Sequence, residues 1–235
     1  MANSFRVEFY KSAKVLSYFV IGIFVLIVGC LAIEILFSLA LLKFPDSTIE
    51  LDDGSSTPIF YLLIGLVGIV ELLARIAAVV LLLIWEYRAF SNLSPLKARN
   101  LEFSPGWAVG WWFIPFMNLV KPYRVMKELW RGSDPDLDPQ NGLLSSSPEA
   151  PSSLGFWWGL FLISNIFGRF ADKTPDNQIT TVLPVVVVAS CVAGIAAAAI
   201  LISIVRDITK RQEERFARVN SLQLAGLVPP ALGEP

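Results

Sequence analysis

The sequence predicts an all-α integral membrane protein, a four-helix bundle with an additional Trp/Pro-rich helical segment on the cytoplasmic side. Three observations predict this class. Hydrophobic residues make up 54% of the 235 positions and gather into four long stretches. A helix needs about 20 apolar residues to cross the hydrocarbon core of a bilayer, and each stretch meets or nearly meets that length. Basic residues are concentrated in alternate connections, and residues 104–118 are too interrupted for a span and too apolar for a loop.

These patterns divide the chain into alternating spans and connections. The spans are predicted at residues 15–42, 59–87, 154–170 and 182–205. The remaining parts are a lead-in at 1–14, an outer loop at 43–58, a cytoplasmic loop at 88–103, the Trp/Pro segment at 104–131, a flexible cytoplasmic linker at 132–153, a second outer loop at 171–181 and a cytoplasmic tail at 206–235.

The distribution of Lys and Arg predicts the orientation of the chain. Fifteen of the nineteen lie before the first span, between the second and third spans, or after the fourth. The two shorter connections and their borders hold Lys43, Arg169 and Lys173 beside several acidic residues. Because basic loops stay in the cytoplasm, both termini and the central connection are predicted to be cytoplasmic. The basic residues of the tail fit either this topology alone or attraction to anionic lipid.

The Trp/Pro segment is predicted to begin with a capped helix, because Ser104 suits an N-cap and Pro105 suits the first helical position. Pro115 and Pro122 each remove a backbone donor, so a continuous membrane helix would leave carbonyl groups without partners. The segment therefore either dips into the bilayer and returns, or lies along the cytoplasmic interface. In residues 123–130, apolar and charged residues follow each other with the spacing of an amphipathic helix, and this pattern favours a position at the membrane surface.

The aromatic and polar residues of this segment form a candidate ligand or partner surface. In one interpretation the tryptophans only anchor the segment at headgroup depth. In the other, the broken backbone lines a cavity for a lipid headgroup, a peptide or a small molecule. The candidate residues are Trp107, Trp111, Trp112, Pro115, Asn118, Tyr123, Arg124 and Trp130.

Charged residues inside the spans form a second candidate site. Glu34, Glu71 and Arg75 fall within the first two predicted spans. A charge at the centre of a span costs about 2.5 to 3.5 kcal/mol even on insertion scales, so such residues are rare and are paired or functional. Glu71 and Arg75 are one helical turn apart, in the orientation that favours an ion pair. The three residues are interpreted either as a structural ion pair or as a site that carries a proton or a cation.

Recognisable signatures of an enzyme are missing from the sequence. The chain has no histidine, no metal-spaced cysteine set, no phosphate-binding glycine loop and no Gly-x-Ser-x-Gly motif. Its two cysteines, Cys30 and Cys191, fall inside spans, where packing is their expected role. No catalytic residue, metal or cofactor is therefore predicted. The predicted partners are the lipid bilayer and a second copy of the chain or another membrane protein, and no nucleic acid.

Several runs of residues resemble a known family. The run from Ile84 to Arg88, the run Ser104-Pro-Gly-Trp-Ala-Val-Gly-Trp-Trp-Phe-Ile-Pro-Phe-Met-Asn-Leu119 and the run from Pro122 to Trp130 are similar to a bacterial multi-pass membrane family catalogued only as a domain of unknown function. The resemblance covers most of the chain after Tyr61. It implies a shared membrane architecture and a bacterial inner membrane, and it implies no activity.

Two hypotheses for function follow from these features. The first is a non-enzymatic membrane scaffold, sensor or assembly partner, with the Trp/Pro segment as its recognition surface. The alternative is a small transporter or channel built around Glu34, Glu71 and Arg75.

Overall fold

A computed structural model describes residues 9–44, 48–50, 56–140, 142–144, 147–171, 173 and 182–227. The helices within these ranges are α1 (Lys14–Lys43), α2 (Ile59–Ser91), α3 (Pro105–Gly110), α4 (Lys121–Gly132), α5 (Ser153–Ala171) and α6 (Leu183–Leu224). The strands are β1 (Thr48–Glu50) and β2 (Ser56–Pro58), an antiparallel pair that matches Thr48 with Pro58. Most of the predicted second outer loop, and parts of the lead-in, first outer loop, linker and tail, lie outside the described residues.

Four of the described helices, α1, α2, α5 and α6, are long and apolar enough to cross a membrane. Only 22% to 28% of the residues in their apolar windows are buried inside the protein. Large apolar side chains such as Leu66, Leu73 and Val185 are therefore exposed on these helices. Water does not favour so much exposed apolar surface, whereas hydrocarbon does. The all-α class with four membrane helices is confirmed, and the chain is a membrane protein.

The chain forms two compact units, and we call residues 21–79 and 155–202 the apolar unit. Its core combines Ile27 and Leu31 of α1, Ala74 and Ala78 of α2, and Cys191 of α6. Small residues at these contacts allow the helix backbones to approach closely, which is how membrane helices pack without a hydrophobic driving force.

A reciprocal pair of hydrogen bonds joins α5 and α6 within the apolar unit. The Ser164 hydroxyl donates to the Ser190 carbonyl at 3.0 Å, and the Ser190 hydroxyl donates to the Ser164 carbonyl at 3.1 Å. A Cβ placed on Gly194 would lie 3.1 Å from the Ser164 hydroxyl and 3.2 Å from a methyl group of Leu31. The glycine therefore sits where α6 passes close to both neighbours.

The second compact unit, which we call the polar unit, comprises residues 1–20, 80–154 and 203–235. It contains fifteen of the nineteen basic residues. Its buried core includes Trp85 and Phe90 from α2, Leu129 from α4, and Ile204 and Ile208 from α6. This unit also contains the whole Trp/Pro segment.

Buried polar side chains of α6 connect the parts of the polar unit. The Gln212 amide donates to the Ala89 carbonyl at 2.8 Å and to the Ser133 hydroxyl at 3.1 Å, and its oxygen accepts from Asn92 at 3.1 Å. Asn92 in turn exchanges hydrogen bonds with the backbone of Lys11. Because the amide groups of Gln212 and Asn92 find partners here, these hydrogen bonds offset the cost of burying the two side chains.

Arg215 is the most deeply buried charged residue of this network, with no exposed surface. Its guanidinium donates to the backbone carbonyls of Leu96 at 2.7 Å, Asp134 at 2.5 Å and Leu137 at 2.8 Å. The predicted flexible linker begins at residue 132, yet Asp134 and Leu137 are both buried. This part of the linker is therefore bound to α6 in the structure, because one arginine satisfies carbonyls that an exposed loop would leave to water.

Candidate functional site

The Trp/Pro segment forms a series of short helical turns and not one helix. As predicted, Ser104 caps α3, and its hydroxyl accepts a hydrogen bond from the Trp107 amide at 3.4 Å. A 3-10 turn at Trp111–Phe113 and a second at Met117–Leu119 follow. Between them Phe116 adopts a positive φ of 63°, an uncommon conformation for a bulky residue. The prolines and this reversal fold the chain back on itself before α4 begins.

An exposed apolar surface lies on this folded segment. Phe116 is 81% exposed and Phe113 is 70% exposed, although both are large hydrophobic residues. Contiguous exposed apolar surface marks interaction sites more often than isolated residues do. We call the set the apolar ridge, and its members are Trp107, Phe113, Phe116, Met117, Leu119 and Val120.

A pocket of about 160 Å³ lies within the same segment. The residues that line it are Glu102, Phe103, Ser104, Trp107, Trp111 and Lys121. The Trp107 and Trp111 rings pack with their centroids 4.9 Å apart. The Lys121 ammonium lies 5.1 Å from the ring centroids of both Phe103 and Trp111, in cation–π range of each.

The charges at the pocket are two cations around one carboxylate. Lys121 Nζ lies 3.4 Å from Glu102 Oε1, and Arg124 Nη2 lies 2.9 Å from Glu102 Oε2. About half of the Glu102 and Arg124 side chains is exposed, so these ion pairs are screened and weak. The group therefore carries a net positive charge that is accessible to solvent.

Glu128 of α4 holds the backbone that leads into the pocket. Its carboxyl group accepts hydrogen bonds from the main-chain N–H groups of Glu102 and Phe103, the latter at 3.2 Å. Burial raises the pKa of the Glu128 carboxyl above its usual range, while the two backbone donors oppose that shift. Glu128 therefore holds in place the backbone that carries the Glu102 side chain.

The amphipathic pattern predicted for residues 123–130 is present in α4, but its apolar face is buried in the polar unit. Val125, Met126 and Leu129 are almost fully buried against protein. The Trp130 ring lies 4.7 Å from the Arg211 guanidinium of α6. The structure therefore uses the apolar face of α4 for internal packing and separates Trp130 from the pocket.

The Trp112 side chain contacts a buried carboxyl group of α2. Its indole N–H donates to Glu86 Oε2 at 2.8 Å, and Glu86 is fully buried. The other carboxyl oxygen, Oε1, has no hydrogen-bond partner among the described residues. Glu86 was not among the predicted site residues, and its signal in the sequence was its position as an acidic residue at the end of an apolar stretch.

The remaining candidates of the segment occupy the turns and the surface. Pro115 is exposed, and its carbonyl accepts a hydrogen bond from the Met117 amide at 2.8 Å. Asn118 is exposed, and its backbone N–H donates to the Ile114 carbonyl at 3.0 Å. Tyr123 is half-buried. Of the eight candidates, Trp107 and Trp111 therefore line the pocket, and Arg124 is joined to it by its ion pair with Glu102.

The three charged residues of the spans lie together in the apolar unit. Arg75 Nε donates to Glu71 Oε1 at 2.7 Å, as the four-residue spacing predicts. The Cys191 thiol donates to Glu34 Oε2 at 3.5 Å, and the Glu34 carboxyl interacts with Glu71 and Arg75. Glu71 is buried, whereas 48% of the Arg75 side chain is exposed. Two carboxyl groups and one guanidinium thus share the site, and Cys191 joins it without having been predicted there.

The described residues contain no group of three or more His, Cys, Asp or Glu side chains arranged to hold a metal ion. A family profile described as "Domain of unknown function (DUF4328)" matches residues 56–210. No curated protein and no solved structure matches the chain. The matched range includes the Trp/Pro segment, the pocket, the second and third membrane helices, and α6 as far as residue 210.

Proposed function

Since the chain belongs to the domain-of-unknown-function family DUF4328, to which no activity is attached, we propose that it is a non-enzymatic membrane scaffold, sensor or assembly partner. Its recognition surface is the apolar ridge of the Trp/Pro segment. The segment lies on the cytoplasmic side of a bacterial inner membrane in this proposal, together with both termini. The distribution of basic residues supports that orientation.

The exposure of Phe116 is the observation that carries this proposal. A bulky aromatic residue at positive φ is strained, and strained positions cluster at functional sites. The side chain makes little use of the protein interior, because four-fifths of it is exposed. The ridge also belongs to a connection that is attached to a membrane helix at each end, α2 and α5. A membrane surface or a membrane-embedded partner is therefore always within reach of the ridge.

Photo-crosslinking in membranes tests whether the ridge contacts a partner. A diazirine amino acid at position 116 is expected to give several-fold more lipid or membrane-protein adduct than the same group at position 149, an exposed residue outside the ridge. Trp111→Ala and Pro115→Ala should lower the yield at position 116 without changing the amount of protein in the membrane. Equal adduct formation at positions 116 and 149 would contradict the proposal, as would normal yields in both variants.

A second candidate function is a small transporter or channel, and the site formed by Glu34, Glu71, Arg75 and Cys191 supports it. Two carboxyl groups beside one guanidinium within membrane helices can exchange a proton or bind a cation. About half of the Arg75 side chain is exposed, so protein does not fully enclose this site.

A flux assay in proteoliposomes tests the transporter. Glu71→Gln is expected to abolish a pH-dependent or ion-dependent flux, because it removes the carboxylate that pairs with Arg75. Arg169→Gln is the matched control, since Arg169 is an exposed residue of α5 outside the site, and it should leave the flux unchanged. Absence of any flux in the parent protein, tested over a range of cations and pH gradients, would remove this candidate.

A further inference from the structure

We propose that the pocket beside the apolar ridge binds the phosphate group of an anionic phospholipid, with Lys121 and Arg124 as the phosphate ligands and Glu102 as a built-in competitor. This inference rests on the proposed function, because it names the ligand class that the same surface would recognise.

The cations at the pocket have the geometry that a phosphate group requires. Lys121 and Arg124 converge on the two oxygens of a single carboxylate, Glu102. A phosphodiester offers the same features, namely adjacent anionic oxygens that accept from an ammonium and a guanidinium. The Glu102 carboxylate thus occupies the position in which we place the phosphate.

The Glu102 carboxylate can be displaced at low cost. Its side chain is 48% exposed, and the ion pairs it forms with Lys121 and Arg124 are in contact with solvent. Its backbone N–H, in contrast, is held by Glu128. The side chain can therefore rotate into water while the chain that carries it remains fixed. Release of Glu102 leaves two cations for one incoming anion.

The surroundings of the pocket favour a lipid over a soluble phosphate. Trp107 lines the pocket and is also a member of the apolar ridge. A headgroup in the pocket would therefore continue into acyl chains that lie against exposed hydrophobic side chains. A soluble phosphate would use the two cations alone and leave the ridge in water. Phe103, Trp107 and Trp111 give the pocket the aromatic walls typical of the membrane interface.

Native mass spectrometry of the full-length protein, delipidated in detergent and titrated with phosphatidylglycerol, tests the proposal. Lys121→Gln and Arg124→Gln are each expected to raise the Kd of the first bound lipid about tenfold, since each removes a charge-assisted contact. Glu102→Gln is expected to lower that Kd about threefold, because the competitor loses its charge. Lys127→Gln, the same charge change on the same helix, is the matched control and should leave the Kd unchanged.

The Glu102→Gln result is decisive, because tighter binding cannot arise from a misfolded variant. An unchanged Kd in Glu102→Gln would overturn the proposal, and so would unchanged Kd values in both Lys121→Gln and Arg124→Gln. Equal affinity of the parent protein for phosphatidylcholine would also overturn it, since that headgroup has no net charge. If glycerol 3-phosphate displaced the lipid at concentrations close to the Kd of the lipid, the site would be one for soluble phosphate, and the lipid assignment would be overturned.

The results also separate this inference from the proposed function. Strong crosslinking at position 116 with unchanged Kd values would retain the ridge as the recognition surface and overturn only the phosphate site. Altered Kd values without crosslinking at position 116 would support the phosphate site, but they would contradict the proposal that the apolar ridge is the recognition surface.

Discussion

Replacing Arg215 with methionine is expected to destabilise the polar unit by about 3 to 5 kcal/mol, because it removes the donor of several buried hydrogen bonds. Three backbone carbonyls, those of Leu96, Asp134 and Leu137, would lose their donor while they remain buried. Each unsatisfied buried group costs about 1 to 3 kcal/mol. Methionine conserves much of the side-chain volume, so the loss of hydrogen bonds should dominate the effect.

Thermal unfolding in detergent measures this destabilisation. For a protein of this size the expected loss corresponds to a fall in Tm on the order of 10 °C. Arg218→Met is the matched control, because Arg218 lies one helical turn further along α6 and is exposed, with partners at Pro135 and Asp136. Its Tm should fall by only about 1 °C, as for most surface substitutions. Equal Tm values for the two variants would contradict a structural role for Arg215.

Replacing Trp112 with phenylalanine is expected to destabilise the polar unit by about 2 to 3 kcal/mol. The phenyl ring retains most of the packing but removes the indole N–H that donates to Glu86 at 2.8 Å. Glu86 already has one buried oxygen without a partner among the described residues, so the variant would leave the whole carboxyl group poorly satisfied. Thermal unfolding and near-ultraviolet circular dichroism should both report the change.

Two further variants separate this hydrogen bond from general loss of an indole ring. Trp107→Phe makes the same replacement on the exposed ridge and should change stability by less than about 0.5 kcal/mol. The double variant Glu86→Leu with Trp112→Phe should be more stable than Trp112→Phe alone, because it removes the unsatisfied carboxyl together with its donor. A double variant that is less stable than the single one would contradict the predicted role of this pair.

The membrane helices and their number could be predicted from the sequence, because hydropathy is a local property that adds up along a stretch of chain. The interruption of the Trp/Pro segment was predictable for the same reason, since each proline removes a donor wherever the chain goes. The pairing of Glu71 with Arg75 was also predictable, because residues four apart in a helix share one face.

The contribution of individual residues to the candidate site could not be predicted in this way. Trp107, Trp111 and Trp112 look alike in the sequence, yet two line the pocket and the third contacts Glu86. The irregular turns after α3 break the helical period, so the spacing of the three residues does not decide which contacts each ring makes. Lys121 was not a candidate, although it lies between two aromatic rings at the pocket.

By itself, the sequence determined that this chain has four membrane helices, a broken aromatic segment and an uneven distribution of basic residues. Only the tertiary structure decided which charges are buried and which are exposed. Arg215 and Arg218 are both basic residues of one helix, but Arg215 meets the carbonyl of Leu96, 119 positions away in the sequence. Burial depends on such distant contacts, and therefore it is decided when the helices and loops pack together and not by local composition.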